Sequence, residues 1–415
     1  MKSNPYLIGV DVASQKADVE IHDPDDNELG KFQLQIANRQ LNNTMKKITA
    51  LVDKNNTIVV MEATGTYHRI FLYCFLNRGF KVVIVNPYQA NSFQRASSLR
   101  KTVTDKISAH TLISLYRLHH YHVIDDPEAN MELKKLVRTY YALVDTQSSF
   151  KKRVKSILAE IFPLVALAFS NIFSKTAVLF LKCYHTPDKI LNETPEKIFD
   201  LLKKTARKNS LWAAQKLDSV MLAARMSPSV EKAKQENVIN LLTYLTIIEN
   251  IETQIQLQKQ RIEDMAQHLP QIKLLMSIPG IGPILSATIL GEMGNFNRFT
   301  KLAQLVAFAG IDPSVKQSGK FNSSRNRMSK RGSRLLRRAL YLAACFAIKR
   351  NRAGLLVNPY LHQYYQKKLA EGKPKKVALG ACMHKITAYI FATLRDNKKF
   401  SLIDPNKHKQ WKNAA

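Results

Sequence analysis

Four cysteines stand among 415 residues, at positions 74, 183, 345 and 382, and no two of them form a CxxC pair. That spacing excludes a disulfide framework and a cysteine-based zinc knuckle. Acids are scarce, with 32 Asp and Glu against 63 Lys and Arg, for a formal net charge of +31. A deficit of that size calls for a polyanionic partner, either nucleic acid or an acidic membrane surface. No uninterrupted apolar run reaches 18 residues, and no charged-then-apolar leader opens the chain. A membrane span and a secretion signal are therefore not expected. The expectation is a cytoplasmic, soluble, nucleic-acid-binding protein, long enough for two or three domains with real cores.

Where acids are rare, an acid at the end of an apolar strand stands out. Tyr6-Leu-Ile-Gly-Val-Asp11-Val12 runs four apolar residues into one carboxylate, the pattern of a strand buried on both faces. Asp11 is either a strand-edge residue capping the next turn or a metal ligand at the lip of a sheet. Residues 17–23 alternate as a second strand, Asp23-Pro-Asp-Asp-Asn27 is turn chemistry, and 31–36 reads as a third strand of a meander. A helix over 38–52 follows, then a strand over 57–61 that ends at Glu62, a helix over 66–78 entered through Thr64-Gly-Thr66, and a strand over 81–85. A mixed sheet with flanking helices is the natural architecture. Ligands in such sheets gather at strand ends, which makes Glu62 a second candidate beside the plain reading of a surface terminus. Residues 88–103 read as a basic, polar loop. Thr104 can cap a helix running to Leu118 with Asp105 in its first turn, as a dipole-complementing acid or as a third ligand. Asp11, Glu62 and Asp105 together form a plausible cluster for Mg²⁺, which takes oxygen ligands and keeps positions open for phosphate.

Beyond residue 130 the chain reads as helical. The stretches 131–161 and 237–269 are long and apolar-periodic, with Leu241, Leu245, Ile248, Ile255, Ile262 and Leu269 near heptad spacing. They predict an antiparallel coiled coil or a seam shared with a second copy, so a homo-oligomer (dimer or tetramer) is expected alongside plain intramolecular core. Between them, 164–229 reads as shorter helices punctuated by Pro187, Pro195 and Pro228, with no chemistry evident. Ser277-Ile-Pro-Gly280-Ile-Gly282-Pro283 resembles the turn of a helix-hairpin-helix, whose backbone N–H groups can meet a phosphate; a plain inter-helix turn is the alternative. The most basic stretch follows. It carries Lys316, Lys320, Arg325, Arg327, Lys330, Arg331 and Arg334 with no acid from Pro313 to Arg338, and leads into an apolar helix over 335–348. A charge run is often only a solvated face, but Gly and Ser in its loop suit a phosphate-gripping segment.

The segments GVDV, MEATGTY and TDKxxA near the N-terminus, with AGIDPS, QSGK and MSKRGSRLLRRAL in the C-terminal third, resemble the DEDD transposases of the insertion-sequence 110 family and the related Piv/MooV DNA invertases. The resemblance spans most of the chain, with the motifs in the family's order. It implies a RuvC-like, RNase H-like mixed-sheet domain over 1–125, a helical coiled-coil region with an insertion over 126–270, a mainly helical basic C-terminal domain over 271–400 and a tail over 401–415. It implies a DNA transposase or recombinase of a mobile element, acting on double-stranded DNA in the bacterial nucleoid, with Mg²⁺ held by Asp11, Glu62 and Asp105. Ser318 matches the family's nucleophilic serine, which forms a phosphoserine link to DNA, and Ser314, Ser323, Ser324 and Ser329 are its neighbours. A structured non-coding RNA from the element is a further implied partner. Ser108 stands where the family has its fourth acid. Two alternatives are a catalytically impaired copy that still binds nucleic acid and a hydrolytic RuvC-like nuclease that needs the acids but not Ser318.

Overall fold

The computed structural model describes residues 4–63, 67–85, 87–97, 109–119, 130–206, 208–228, 234–314, 317–318, 321–322 and 327–403. Contacts divide the chain into two units, Met1–Ala129 and Asn130–Ala415.

The first unit is built on five strands: β1 (Tyr6–Val12), β2 (Lys16–His22), β3 (Glu28–Gln35), β4 (Thr57–Glu62) and β5 (Lys81–Val85). Their order in the sheet is β3-β2-β1-β4-β5. The first three form an antiparallel meander, and β4 and β5 run parallel to β1. Helices α1 (Asn38–Leu51), α2 (His68–Leu76), α3 (Pro87–Ser97) and α4 (Ala109–His119) flank it.

Strand side chains alternate between faces, and here both faces are covered. Ile8, Val10 and Val12 of β1 join Val59 and Met61 of β4 in a core with Leu41, Met45 and Ile48 of α1 and Phe71, Leu72 and Phe75 of α2. The opposite parity, Val60, Val83 and Val85, packs with Ala90 of α3 and Leu112 and Leu115 of α4. Gly9 belongs to this second face. A Cβ at Gly9 would lie 2.1 Å from the Ala109 carbonyl oxygen, so only glycine lets the start of α4 seat directly on β1.

Residues 88–103 were expected as a loop, yet Pro87–Ser97 is a helix. Pro87 supplies a favourable first helical position. Its apolar stripe is short: Ala90 and Phe93, at helical spacing, meet the Val60–Val83–Val85 cluster. So narrow a stripe in a polar stretch leaves little periodicity to read.

The second unit opens with α5 (Met131–Ile161). The short helices α6 (Val165–Ala168), α7 (Lys175–Cys183), α8 (Pro187–Leu191), α9 (Pro195–Ala206) and α10 (Ser210–Met226) follow, and then α11 (Lys234–Ala266). Gln147 of α5 donates to Glu252 of α11 at 2.6 Å, and Asn237 donates to Glu160 at 3.0 Å. Partners that rise along α5 fall along α11, so the two helices are antiparallel neighbours within one chain. Leu241, Leu245 and Ile248 enter a core with Val154, Ile157, Phe180 and Ile198, and that core accounts for the insertion between the long helices.

A second core in this unit joins α12 (Pro270–Met276), α13 (Pro283–Met293), α14 (Leu302–Ala309), α15 (Arg334–Ala347), α16 (Pro359–Ala370) and α17 (Lys375–Arg395). Among the described residues α17 alone is long and apolar enough to cross a membrane. Its Cys382, Met383, Ile386 and Ile390 are already spent on this core.

The Gly9 contact is testable. Gly9→Ala is expected to lower unfolding stability by about 2 kcal/mol, the scale of overpacking against backbone, as read by denaturant titration. A loss under about 0.5 kcal/mol, the range of neutral surface changes, would mean that α4 is not fixed there.

Candidate active site

Asp11 is the next-to-last residue of β1, and Glu62 is the last of β4. The parallel ladder pairs Gly9 with Val60 and Val10 with Met61, which brings the following residues, Asp11 and Glu62, side by side. Both share the parity of Gly9 and Val60, hence the face that α3 and α4 cover. Both are half-buried. Burial first, and then the charge of Asp11, push the Glu62 carboxyl above the ordinary glutamate range. Two like charges held together in a partly buried site are what a cation relieves, so the donor set fits a divalent metal with oxygen preference.

The sheet adds an acid that sequence reasoning did not single out. Asp18 of β2 lies directly opposite Asp11, and Gln33 donates to it at 2.8 Å. The alternation of residues 17–23 carried the signal, since it sets Asp18, Glu20 and His22 on one face. Glu20 and His22 are nevertheless buried, and His110 of α4 comes to within 3.0 Å of Glu20. A residue 90 positions away leaves no local trace in sequence. Asp105 and Ser108, like Thr64-Gly65-Thr66, lie outside the described residues.

The basic stretch was expected to be a loop, and part of it is paired. The short strands β6 (Pro313–Ser314) and β9 (Arg327–Met328) are antiparallel, and so are β7 (Gln317–Ser318) and β8 (Phe321–Asn322). The result is a ribbon in which Ser318 pairs with Phe321, leaving two residues between them in the chain. Gly-Lys at that place is hairpin chemistry, and it was the available signal. Lys316, Lys320 and Arg325 lie outside the described residues, as do Ser323 and Ser324.

The foot of the ribbon is anchored. Ser314 Oγ donates to the Arg327 carbonyl at 2.8 Å, and the Ser329 and Lys330 N–H groups donate to Asp312 and Gly310 carbonyls at 2.9 and 3.0 Å. Gly310 is left-handed (φ 65°), and a Cβ on Gly332 would fall 1.9 Å from the Phe308 carbonyl oxygen. Two strands of backbone cross here at contact distance, which requires glycine. Arg327, Lys330, Arg331 and Arg334 are exposed. Arg338 is engaged elsewhere, bonded to Asp145 at 2.8 Å with its guanidinium 4.5 Å from the Tyr141 ring centroid.

Of the turn glycines, Gly280 is explained by packing. It has φ 99°, and a Cβ would lie 2.7 Å from the Ala343 carbonyl of α15. Gly282 has open space around it and extended backbone (φ −95°, ψ −178°) at the N-cap of α13, so no steric need accounts for it.

One buried acid holds the second unit's basic helix in place. Glu292 of α13 is 1% exposed. It takes a two-pronged bond from Arg138 of α5 (Nε to Oε1 2.7 Å, Nη2 to Oε2 3.1 Å) and a third from Ser333 Oγ at 2.8 Å. Ser333 in turn accepts from Leu336 N–H and caps α15. Burial pushes the Glu292 carboxyl up, but the bonds from Arg138 and Ser333 outweigh it and leave the pKa below the ordinary value. That stabilisation is fully present above the ordinary glutamate range and is lost as pH falls through the lowered value.

Two outcomes are expected. Glu292→Ala should cost about 2 kcal/mol of unfolding stability, because Arg138 and Ser333 both lose their buried acceptor, read by denaturant titration. Asp11→Asn should bring the Glu62 titration, followed by carboxyl NMR, down toward the ordinary glutamate range. No movement would separate the two acids.

Residues 8–163 match the sequence family of DEDD transposases of IS110, described as "Transposase", and residues 272–366 match the "Transposase IS116/IS110/IS902 family". The chain is similar to the mini-circle putative transposase for IS117 of Streptomyces coelicolor, at 24% identity over 75% of this chain and 77% of that one. It is similar to the IS110 43.6 kDa protein of the same organism, at 22% over 87% and 88%. It is also similar to the pilin gene-inverting protein of Moraxella bovis, at 24% over 82% and 81%. The two matched segments contain the paired acids and the anchored foot of the basic region, and on these grounds the chain belongs to the IS110 family of transposases, enzymes that recombine DNA.

Proposed function

We propose that this transposase cuts and rejoins double-stranded DNA through a serine–DNA ester, with Mg²⁺ held by Asp11, Glu62 and Asp105 and Ser318 as nucleophile. The observation that carries the reading is the pairing of Asp11 and Glu62 on adjacent parallel strands, with Glu62 raised by burial and by Asp11. The strand order β3-β2-β1-β4-β5, an antiparallel meander followed by two parallel strands, supports a RuvC-like, RNase H-like assignment for 1–125. The remaining division follows the sequence reading: helical coiled-coil material over 126–270, and a DNA-handling domain over 271–400 that carries the serine.

A bound divalent ion supplies charge withdrawal from the scissile phosphate and a lower pKa for an attacking oxygen. The chain's own groups do the rest. Asp11 and Glu62 take their places from the β1–β4 ladder, and Asp105 precedes by four residues the helix start that Gly9 admits. Ser318 Oγ attacks phosphorus, an Oγ–P bond forms, one P–O(sugar) bond breaks and the sugar oxygen leaves as a hydroxyl. A hydroxyl from a second DNA end then reverses the exchange and frees the serine. Serine at neutral pH needs activation, and its sequence neighbours are cationic. The reading therefore requires the acids and Ser318 to act on one phosphate, from one chain or from two in a homo-oligomer. Arg327, Lys330, Arg331 and Arg334, with Lys316, Lys320 and Arg325, grip backbone phosphates. Gly282 N–H, free of any packing role, suits a phosphate contact of the same kind. An element-encoded RNA is the proposed guide to donor and target DNA.

Ser108 supports one other reading, an impaired copy with an intact scaffold. Recombination between donor and target plasmids, supplied with the element's flanking non-coding DNA, tests both. Wild type is expected to recombine while Asp11→Ala and Ser318→Ala fall by at least about 10³-fold, the scale of losing a nucleophile or its activation. Cleavage retained by Ser318→Ala would leave a hydrolytic nuclease. A silent wild type rescued by Ser108→Asp would identify the impaired copy.

A further inference from the structure

We propose that Glu20, His22 and His110 form a second metal site, for a zinc-like divalent ion, that ties strand β2 to helix α4. This goes beyond the acid cluster and does not depend on it. Glu20 Oε1 faces His22 Nε2 at 2.9 Å and His110 Nδ1 at 3.0 Å. One ligand atom from each of the three residues lies within 4.8 Å of the others. Ligand atoms of a tetrahedral zinc, with bonds near 2.1 Å, lie about 3.4 Å apart, so the three need only small shifts to close on an ion. Glu20 and His22 are buried on the sheet, and His110 is open to solvent on α4, which leaves an entry path and a free position.

The proton count on His22 points the same way. Its Nδ1 lies 2.6 Å from Asp26 Oδ1, and its Nε2 lies 2.9 Å from Glu20 Oε1. A neutral imidazole carries one N–H, so it can satisfy one of these carboxylates and turns a lone pair toward the other. With Nδ1–H given to Asp26, the Nε2 lone pair faces Glu20 and can ligate a cation, which would take the place of the second proton of an imidazolium bonded to both carboxylates. Asp26 is itself fixed by Arg117 at 2.9 Å, which completes the carboxylate–histidine–metal arrangement that orients metal-binding histidines. Lys31 is the competing cation, 3.7 Å from Glu20 Oε2. Its exposed side chain also has Glu28 at 2.8 Å and can turn wholly to it.

Imidazole ligands select zinc-type ions over Mg²⁺, whereas the all-oxygen pair Asp11 and Glu62 selects the reverse. The two sites share one face of the sheet and would load independently. The role of the second is mechanical. His110 follows Ala109, the residue whose carbonyl sits against Gly9, so an ion there would pin the start of α4 beside the acid edge.

The experiment uses the full-length chain, stripped with chelator, and titrates Zn²⁺ by calorimetry and Co²⁺ by visible absorption. The expected result is a zinc site lost in His110→Ala and Glu20→Gln, with affinity at least 100-fold weaker, and the intense visible bands of four-coordinate cobalt vanishing with it. Asp26→Asn should weaken zinc by about 10-fold. Zinc should raise the melting temperature of wild type but not of His110→Ala, while excess Mg²⁺ should displace neither ion. His110 is exposed, so His110→Ala should melt like metal-free wild type, which separates a lost ligand from a lost fold. Absence of zinc binding by wild type, or binding and cobalt bands unchanged in His110→Ala and Glu20→Gln, would overturn the proposal.

Discussion

The backbone of α4 comes so close to β1 at Gly9 that no side chain fits between them. That contact decides what the acidic edge of the sheet can be. The ladder between β1 and β4 sets Asp11 beside Glu62 without help from α4. Closing the face over them, and bringing the following helix within reach, needs a strand position with no Cβ two residues before the acid. The Gly in Gly-Val-Asp is therefore a packing residue in the service of the Asp. A larger residue would push α4 outward and expose the Val60–Val83–Leu112 cluster. The partial burial that raises Glu62 would go with it.

The second unit uses the same device at its basic end. Gly310 and Gly332 let two backbone segments cross at contact distance, and Ser333 then caps α15 while bonding Glu292. A ribbon of two-residue strands has little intrinsic stability. Its foot is tied to Asp312, Gly310 and the cap of a helix that Glu292 bonds to α5 and α13. The bond between buried Glu292 and the exposed Arg138 is consequently a positioning element for a charged surface in a chain with few acids to spare.

Much of this was legible in the sequence, and the rest had physical reasons to be hidden. The strands around Ile8, Val59 and Val83 announce themselves because burial on both faces demands unbroken apolar runs. The start of α5 at Met131 and its end at Ile161 follow from a long periodic stripe terminated before Pro163. The paired acids could be suspected, but their adjacency depends on a parallel pairing between segments some 50 residues apart, and no local pattern encodes it. Helix α3 was missed because two apolar residues suffice to seat it. The ribbon was taken for a loop because strands of two residues carry no alternation, leaving only the Gly-Lys pair as a sign. Glu20 and His22 fall on the polar side of the alternation over residues 17–23. A helix 90 residues later makes that side an interior, and His110 meets them only in three dimensions.

The distribution of charge constrains the chemistry further. Asp11, Asp18 and Glu62 form a negative face on which a DNA phosphate is unwelcome: two unit charges about 5 Å apart in a partly buried setting repel by about 3 kcal/mol. An acid edge of this kind can meet DNA only with cations interposed. The basic ribbon has the opposite difficulty. It attracts phosphate readily, yet the residues flanking Ser318 in sequence include no base to take a proton from its hydroxyl. Cations around a serine stabilise the developing charge of a phosphoryl transfer without initiating it. The two regions are thus opposite in charge, one rich in carboxylates and one with none from Pro313 to Arg338.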